Sequence, residues 1–270
     1  MQQYLDLIKH VLENGRTKAN RSGFWVRSEF GHMSRYDLTE GFPLVTTKRM
    51  PQKVWIHELL WWISGDCTNT KTLKDRLPKD KIKIWDIFAD DEGNIGPLYG
   101  FQWRNWPGYD GKPIDQLQNV INLLNDDPNS RAMIVSAWNA GQLKEMRLPP
   151  CHTFFQFYAR KDELSMMMYQ RSGDILIGVP FNIAQYSLLL MMVAQVTGYK
   201  AKEFIHVIGD AHIYKNYKEQ ALEQIGRKPY PLPKMILNPK VKNIDDFKID
   251  DFKIENYQHH PPINMNVNLV

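Results

Sequence analysis

Cysteine is nearly absent from this sequence, whose 270 residues include only Cys67 and Cys151. Two cysteines build no disulfide framework, and such sparing use fits a reducing compartment, so a cytoplasmic location is expected. Long apolar runs are scarce as well. The stretch from Ile56 to Ile63 reads as the longest, far short of the ~20 residues that span a bilayer, and no membrane partner is expected. At the N-terminus, Leu5, Ile8, Val11 and Leu12 follow the spacing of an amphipathic helix and not the unbroken apolar block of a signal peptide. Basic arms and stripes are missing. Lys+Arg 34 against Asp+Glu 30 leaves a net charge of +4 spread along the chain, which gives no reason to invoke a nucleic-acid partner and suits small anionic substrates. There is no Walker loop and no dinucleotide glycine fingerprint, so ATP and nicotinamide binding have no support. No histidine, cysteine or carboxylate pair stands at the spacing of a zinc site, and no metal is expected. Repeats, low-complexity blocks and Gly/Ser linkers are also lacking, so residues 1–270 read as a single domain.

What is present is enough apolar material, 43% of residues, for a large core that needs no staples. Helical spacing marks residues 2–14, 51–64, 114–126, 181–198 and 211–225. Strand patterns lie at 133–138, 153–158, 164–169 and 204–208, rich in aromatic and β-branched residues. The second and third of these strands are joined by the short polar segment 159–163, which predicts an antiparallel pair. The class is α+β, a sheet with helices packed on it.

The segments 51–64 and 181–198 are apolar on nearly every side, as core helices are. Glu58 stands among Trp55, Ile56, Leu59, Leu60, Trp61 and Trp62. Burial there would push its pKa toward neutrality, the range useful for general acid/base work; the plain alternative is a carboxylate turned to solvent or paired with an arginine. Leu148-Pro149-Pro150-Cys151-His152 sets a cysteine where the chain enters a strand. Arg171 is a source of the positive charge a thiolate needs, against the alternative of an inert buried cysteine. Gln170-Arg171-Ser172-Gly173-Asp174 could close on a phosphate or be a solvated turn. Asn182 opens a core helix, either as a reader of the polar edge of a uracil ring or as an N-cap. Asp210 is expected at an N-cap with His212 and Tyr214 in the following turn, where the latter two could hold a sugar hydroxyl.

Longer motifs contain these residues: FPLVTTKR from Phe42, HELLW from His57, GPLYGFQWR from Gly96, Pro150-Cys151-His152, Tyr169-Gln170-Arg171-Ser172 and PFNIA from Pro180. With them the chain resembles the thymidylate synthases, folate-dependent enzymes that methylate deoxyuridine monophosphate (dUMP), from Tyr4 to the C-terminus. The resemblance implies a single domain with a large mixed sheet covered by helices, one sheet face lying at a twofold homodimer interface. It implies catalytic roles for Cys151, Glu58, Tyr99, His152 and Asp210, with the Cys151 thiolate adding to carbon 6 of the pyrimidine. Substrate contacts would come from Arg21, Gln170, Arg171, Ser172, Gly173, Asp174, Asn182, His212 and Tyr214, and from Arg131 donated across the dimer. Trp85, Asp174, Phe181 and Leu269 would contact methylenetetrahydrofolate, the co-substrate that supplies both the one-carbon unit and a hydride.

The chain departs from the family pattern in four places. Ala132 stands where a second arginine is usual, and Phe24-Trp25 replaces small residues in the phosphate loop. Asn264 replaces a lysine, and the tail 265–270 is one residue longer than is common. The last two changes touch the folate end, and they raise the alternative of a dUMP hydroxymethylase, in which water reaches the exocyclic carbon instead of hydride. An RNA-binding or non-catalytic relative is a lower alternative.

Overall fold

The computed structural model describes residues 1–20, 23–76 and 84–265. Along the chain come α1 (Gln2–Asn14), β1 (Arg16–Ala19), β2 (Trp25–Asp37), α2 (Gln52–Ile63), α3 (Thr70–Lys74), α4 (Ile84–Phe88) and α5 (Gly100–Arg104). These are followed by β3 (Trp106–Pro107), β4 (Pro113–Ile114), α6 (Gln116–Asp126), β5 (Ile134–Ser136), β6 (His152–Arg160) and β7 (Glu163–Asp174). The last are α7 (Gly178–Thr197), β8 (Lys200–Tyr214), α8 (Lys218–Gly226), β9 (Lys234–Leu237) and β10 (Phe252–Glu255).

A six-stranded sheet in the order β1-β2-β8-β7-β6-β5 organises the whole. Its pairs are antiparallel except β7 with β8, which run parallel and are joined through α7; a parallel pair needs such a crossover because a tight turn cannot return the chain to the same end. The predicted antiparallel pair is β6 with β7. Arg160 faces Glu163, so only Lys161 and Asp162 make the turn, with Lys161 at φ 55. The expected α+β class, with helices on a large mixed sheet, is what the structure shows.

The two segments read as core helices are α2 and α7. Trp55, Ile56, Leu59, Leu60, Trp61, Trp62 and Ile63 are all buried on α2. Helix α7 corrects the reading of apolar runs: of its 20 residues, an 18-residue stretch has a mean hydropathy of 1.4, long and apolar enough to cross a membrane, yet 78% of that stretch is buried inside the fold. It is the central pillar of the core, lying against β7 and β8.

A second correction concerns 211–225. Strand β8 runs on to Tyr214, and the helix starts only at Lys218. The alternation of Phe204, His206 and Ile208 persists past Gly209-Asp210 because β2 and β7 pair with β8 on both sides as far as Tyr214 and His212. Asp210 is therefore a strand residue and no N-cap. The apparent turn pair instead marks a slip. Buried positions fall on even numbers through Gln170 and Ile208 and on odd numbers from Gly173 and Ala211, so both strands change face at the same level. A Cβ at Gly209 would lie 2.8 Å from the Arg171 carbonyl oxygen, so glycine allows the close approach that this slip requires.

Among the described residues no helix covers the face of the sheet turned away from α7. Met33, Val207, Tyr169 and Phe154 form one row across four strands, and Tyr158 and Ile134 are exposed beside it.

Candidate active site

Pro149 and Pro150 bring the chain to the start of β6, and Cys151 sits just before the strand, part-exposed and outside any disulfide. Arg171, on β7, is fixed around it. Its backbone N–H donates to the Cys151 carbonyl at 2.8 Å, and its guanidinium donates to the carbonyls of Pro150 at 2.9 Å and Pro149 at 2.6 Å. That clamp holds a guanidinium nitrogen 3.9 Å from the sulfur, a permanent positive charge of the kind that favours a thiolate. Cys67 is a contrast. It is fully buried, hydrogen-bonded to the backbone of Leu98 and Phe101, and burial pushes its thiol up to about 12.

The Cys151 backbone N–H donates to the Tyr99 hydroxyl at 2.9 Å. Tyr99 occupies φ 34, ψ −101, a conformation that costs about 1–3 kcal/mol for a residue with a Cβ and persists only where the surroundings enforce it. Here they are the rings of Trp62, Trp85 and His152 around its own. The next residue, Gly100, approaches α2 so closely that a Cβ would lie 1.9 Å from the Trp62 carbonyl oxygen. Gly100→Ala should destabilise the fold by on the order of 3 kcal/mol, read as a lowered midpoint in urea unfolding, with activity lost in proportion as Tyr99 shifts.

Glu58 neither points to solvent nor pairs with an arginine. Its two oxygens accept from Trp85 Nε1 and Gln185 Nε2, each at 2.5 Å. Burial raises its pKa, and the two hydrogen bonds only partly offset this. A carboxyl whose pKa is raised this way holds a proton more readily than an exposed one, which suits it to general acid/base work. Trp85, expected at the folate end, is thus also a fixture of Glu58, and its ring lies 5.9 Å from that of Tyr99.

His152, the first residue of β6, is buried between Trp62, Tyr99 and Tyr186, and burial holds its imidazole down to about 3, neutral at any working pH. On β7, Gln170 donates to the Ser172 carbonyl at 3.0 Å and to Asn182 Oδ1 at 3.1 Å. Asn182 lies inside α7, which starts at Gly178, so it is not a cap. Phe181 beside it is part-buried against the core. The segment Gln170–Asp174 is strand, not a solvated turn. Gly173 is buried there, where a Cβ would press on Val179 at 3.0 Å. Asp174 Oδ1 accepts from the backbone N–H of Leu176 at 3.0 Å and of Ile177 at 3.1 Å, joining β7 to the start of α7. Burial raises the pKa of Asp174 against the opposing pull of His212 and Lys48.

On β8, Asp210 accepts from Ser28 Oγ at 2.6 Å and pairs with Lys18 of β1 and with His212. Burial works to raise its pKa, but those bonds outweigh it and hold the carboxylate below its ordinary range. The converse holds for His212: burial works to lower its pKa, and Asp210 and Asp174 outweigh that and raise it. Tyr214 packs edge-on against the His212 ring at 5.5 Å.

Contacts thus link Cys151 with Arg171, Tyr99, His152, Trp85 and Glu58, and His152 in turn with Asn182 and Gln170; Asp174 and His212 form a second group with Asp210. Arg131 is part of neither. Its carbonyl accepts from Gln156 Nε2, and Gln156 is five residues along β6 from Cys151, about 17 Å at strand rise. Arg131 and its neighbour Ala132 are exposed. Arg21 and Leu269 lie outside the described residues.

Sequence reasoning passed over Gln185, His206 and Lys48. Gln185 follows Asn182 by three residues, one helical turn, a spacing that put it within reach of the same site. Lys48 stands in the FPLVTTKR motif. It is buried, donates to the Leu176 carbonyl, and burial brings its amine down to about 8 despite Asp174 nearby.

A family model described as thymidylate synthase matches residues 2–269. The chain belongs to the thymidylate synthase family. Thymidylate synthases carry out folate-dependent one-carbon transfer to dUMP, which makes this chain a transferase of nucleotide biosynthesis with methylenetetrahydrofolate as the family's co-substrate. Among the described residues no group of three or more His, Cys, Asp or Glu is placed to hold a metal ion.

Proposed function

We propose that this chain converts dUMP to dTMP, with Cys151 as the nucleophile and Glu58 as the group that moves protons. The observation that carries the reading is a part-exposed thiol held 3.9 Å from the Arg171 guanidinium and linked through Tyr99 and Trp85 to a carboxylate of raised pKa. In this reading Cys151 Sγ adds to carbon 6 of uracil, and electron density moves onto carbon 5, with the C4 carbonyl as its sink. Asn182 holds the polar edge of the base, and His152 supplies a neutral wall. His212 and Tyr214 meet the sugar hydroxyl, with Asp210 orienting His212. Arg171, Ser172 and Arg21 take the phosphate. Glu58 accepts the carbon 5 proton once the new bond has formed.

The residues present suit the folate. Trp85 and Phe181 offer apolar aromatic surface, and among the described residues Asp174 commits only Oδ1 to backbone N–H groups, which leaves Oδ2 to accept from a ring N–H. When bound, methylenetetrahydrofolate supplies the one-carbon unit and the hydride. Incubating the protein with dUMP and methylenetetrahydrofolate and weighing both products tests the reading: dTMP with dihydrofolate is expected. Hydroxymethyl-dUMP with tetrahydrofolate would replace it with the hydroxymethylase.

The working unit in this reading is a homodimer packed through the uncovered sheet face. Supporting it are the row Met33, Val207, Tyr169 and Phe154 and Arg131, whose carbonyl is held by Gln156, too far along β6 from Cys151 for Arg131 to serve its own site. Arg131→Ala and Cys151→Ser variants, each nearly inactive alone, should regain activity when mixed and allowed to exchange subunits, because one hybrid site then holds an intact Cys151 and an intact Arg131. Absence of recovery in subunits shown to exchange would contradict a shared site.

A further inference from the structure

His206 has no part in the mechanism above, yet it is 1% exposed and its Nε2 lies 2.8 Å from Gln170 Oε1. Gln170 and Asn182 are buried too, at 2% and 7% exposure. The polarity of this buried chain can be worked out. The Ser172 carbonyl can only accept, so the end of the Gln170 amide that faces it at 3.0 Å is the NH2. That same NH2 faces Asn182, which must therefore turn its Oδ1 toward Gln170 and keep its Nδ2 for whatever occupies the site. The other end of Gln170 is then its oxygen, and His206 must meet it with an N–H. His206 is thus a neutral imidazole protonated on Nε2. Burial, which holds its pKa down to about 3, keeps it uncharged.

We propose that His206 is a specificity-determining positioning residue: its Nε2–H locks the Gln170 amide in the orientation that makes Asn182 present an amine to the base, selecting a pyrimidine with a 4-oxo group over one with a 4-amino group. This rests on the reading of Asn182 as the base contact. A uracil offers an oxygen at position 4, which the Asn182 NH2 can meet; a cytosine offers an amine there, which it cannot. If the Gln170 amide turned over, its oxygen would face Asn182, the Asn182 amide would turn in response, and its oxygen would face the base, the arrangement that suits cytosine. His152, hydrogen-bonded to Asn182, holds that amide directly, and two further groups prevent the turn of Gln170. One is the Ser172 carbonyl, which would meet an oxygen, and the other is the His206 N–H, which would meet an amine. In a buried chain each mismatch leaves a polar group unpaired, which is costly.

The test compares dUMP and dCMP affinities by titration calorimetry for the wild type, His206→Leu, His206→Gln and Asn182→Asp. His206→Leu removes the donor and should reduce the preference for dUMP tenfold or more. His206→Gln can donate from the same place and should return the preference to within about threefold of the wild type. A merely structural histidine would lower thermal stability in both variants and leave the ratio where it was. A folded His206→Leu protein with an unchanged ratio overturns the proposal. If Asn182→Asp shifts the ratio in that case, the base contact stands and only the role of His206 falls; if neither variant shifts it, the Asn182 reading falls as well. Histidine nitrogen NMR on the wild-type protein decides the matter even if His206→Leu does not fold. His206 should be neutral with its proton on Nε2 from pH 5 to 9, and a proton on Nδ1 would contradict the lock.

Discussion

Cys151→Ser should bring turnover to background while dUMP still binds with an affinity close to that of the wild type. Serine keeps the size and the backbone N–H that donates to Tyr99, so the pocket is preserved. It loses the soft, ionisable sulfur that Arg171 is clamped beside, and a hydroxyl at neutral pH is a far weaker nucleophile than a thiolate. Arg171 is itself held by the carbonyls of Pro149 and Pro150 and has no need of the sulfur to stay in place. Cys67→Ser is the matched control: its partners are the Leu98 carbonyl and the Phe101 N–H, both of which a hydroxyl can satisfy, so activity should be nearly unchanged. Steady-state rates and equilibrium dUMP binding on the two variants check the contrast. Retained turnover in Cys151→Ser would remove the nucleophile from the account.

Glu58→Gln is expected to cost about a hundredfold or more in turnover, the range that a positioned acid or base contributes, with dUMP binding little changed. The substitution is well tolerated sterically. Trp85 can donate only to the new amide oxygen, so the new NH2 faces Gln185, whose own Oε1 is buried without a partner among the described residues; Gln185 can turn its amide and accept. Stability should respond in the opposite direction from activity. A carboxyl whose folded pKa is raised above its unfolded value stabilises the fold most below the unfolded value, and that contribution is lost as pH rises through the folded pKa. Glutamine is neutral throughout. Glu58→Gln should therefore gain in melting temperature relative to the wild type on going from pH 5 to pH 8, as thermal unfolding at the two pH values would show. A parallel loss of stability and activity would make Glu58 a structural residue.

Local pattern explains which features were legible in the sequence. Helix α2 and the β6–β7 turn are written in short-range periodicity and a polar connection; the bounds of α2 follow within a residue, whereas β7 runs five residues past the end of its apolar pattern, to Asp174. Cys151 stood out because two prolines and a histidine flank it, and Arg171 because polar residues crowd the end of an apolar strand. The end of β8 was not legible. Gly209-Asp210 has the composition of a turn, and only pairing with β2 and β7 keeps it in the sheet. Nor could the environment of Glu58 be read, since Trp85 and Gln185 are 27 and 127 residues away in sequence. The same holds for the link from His206 through Gln170 to Asn182: Gln170 and Asn182 stand out in the sequence, but His206 looks like an ordinary core residue until β7 and β8 are laid side by side.

The central claim is that Cys151 bonds covalently to the pyrimidine and that the reaction passes through proton loss at carbon 5. A nucleotide with fluorine at carbon 5 tests both parts at once, because fluorine cannot depart as a cation where hydrogen departs as a proton. Intact-protein mass spectrometry after incubation with 5-fluoro-dUMP and methylenetetrahydrofolate should show a stable adduct, and digestion should place it on the peptide that contains Cys151, with none formed by Cys151→Ser. No adduct on the folded wild-type protein, or an adduct on any other residue, would contradict the account.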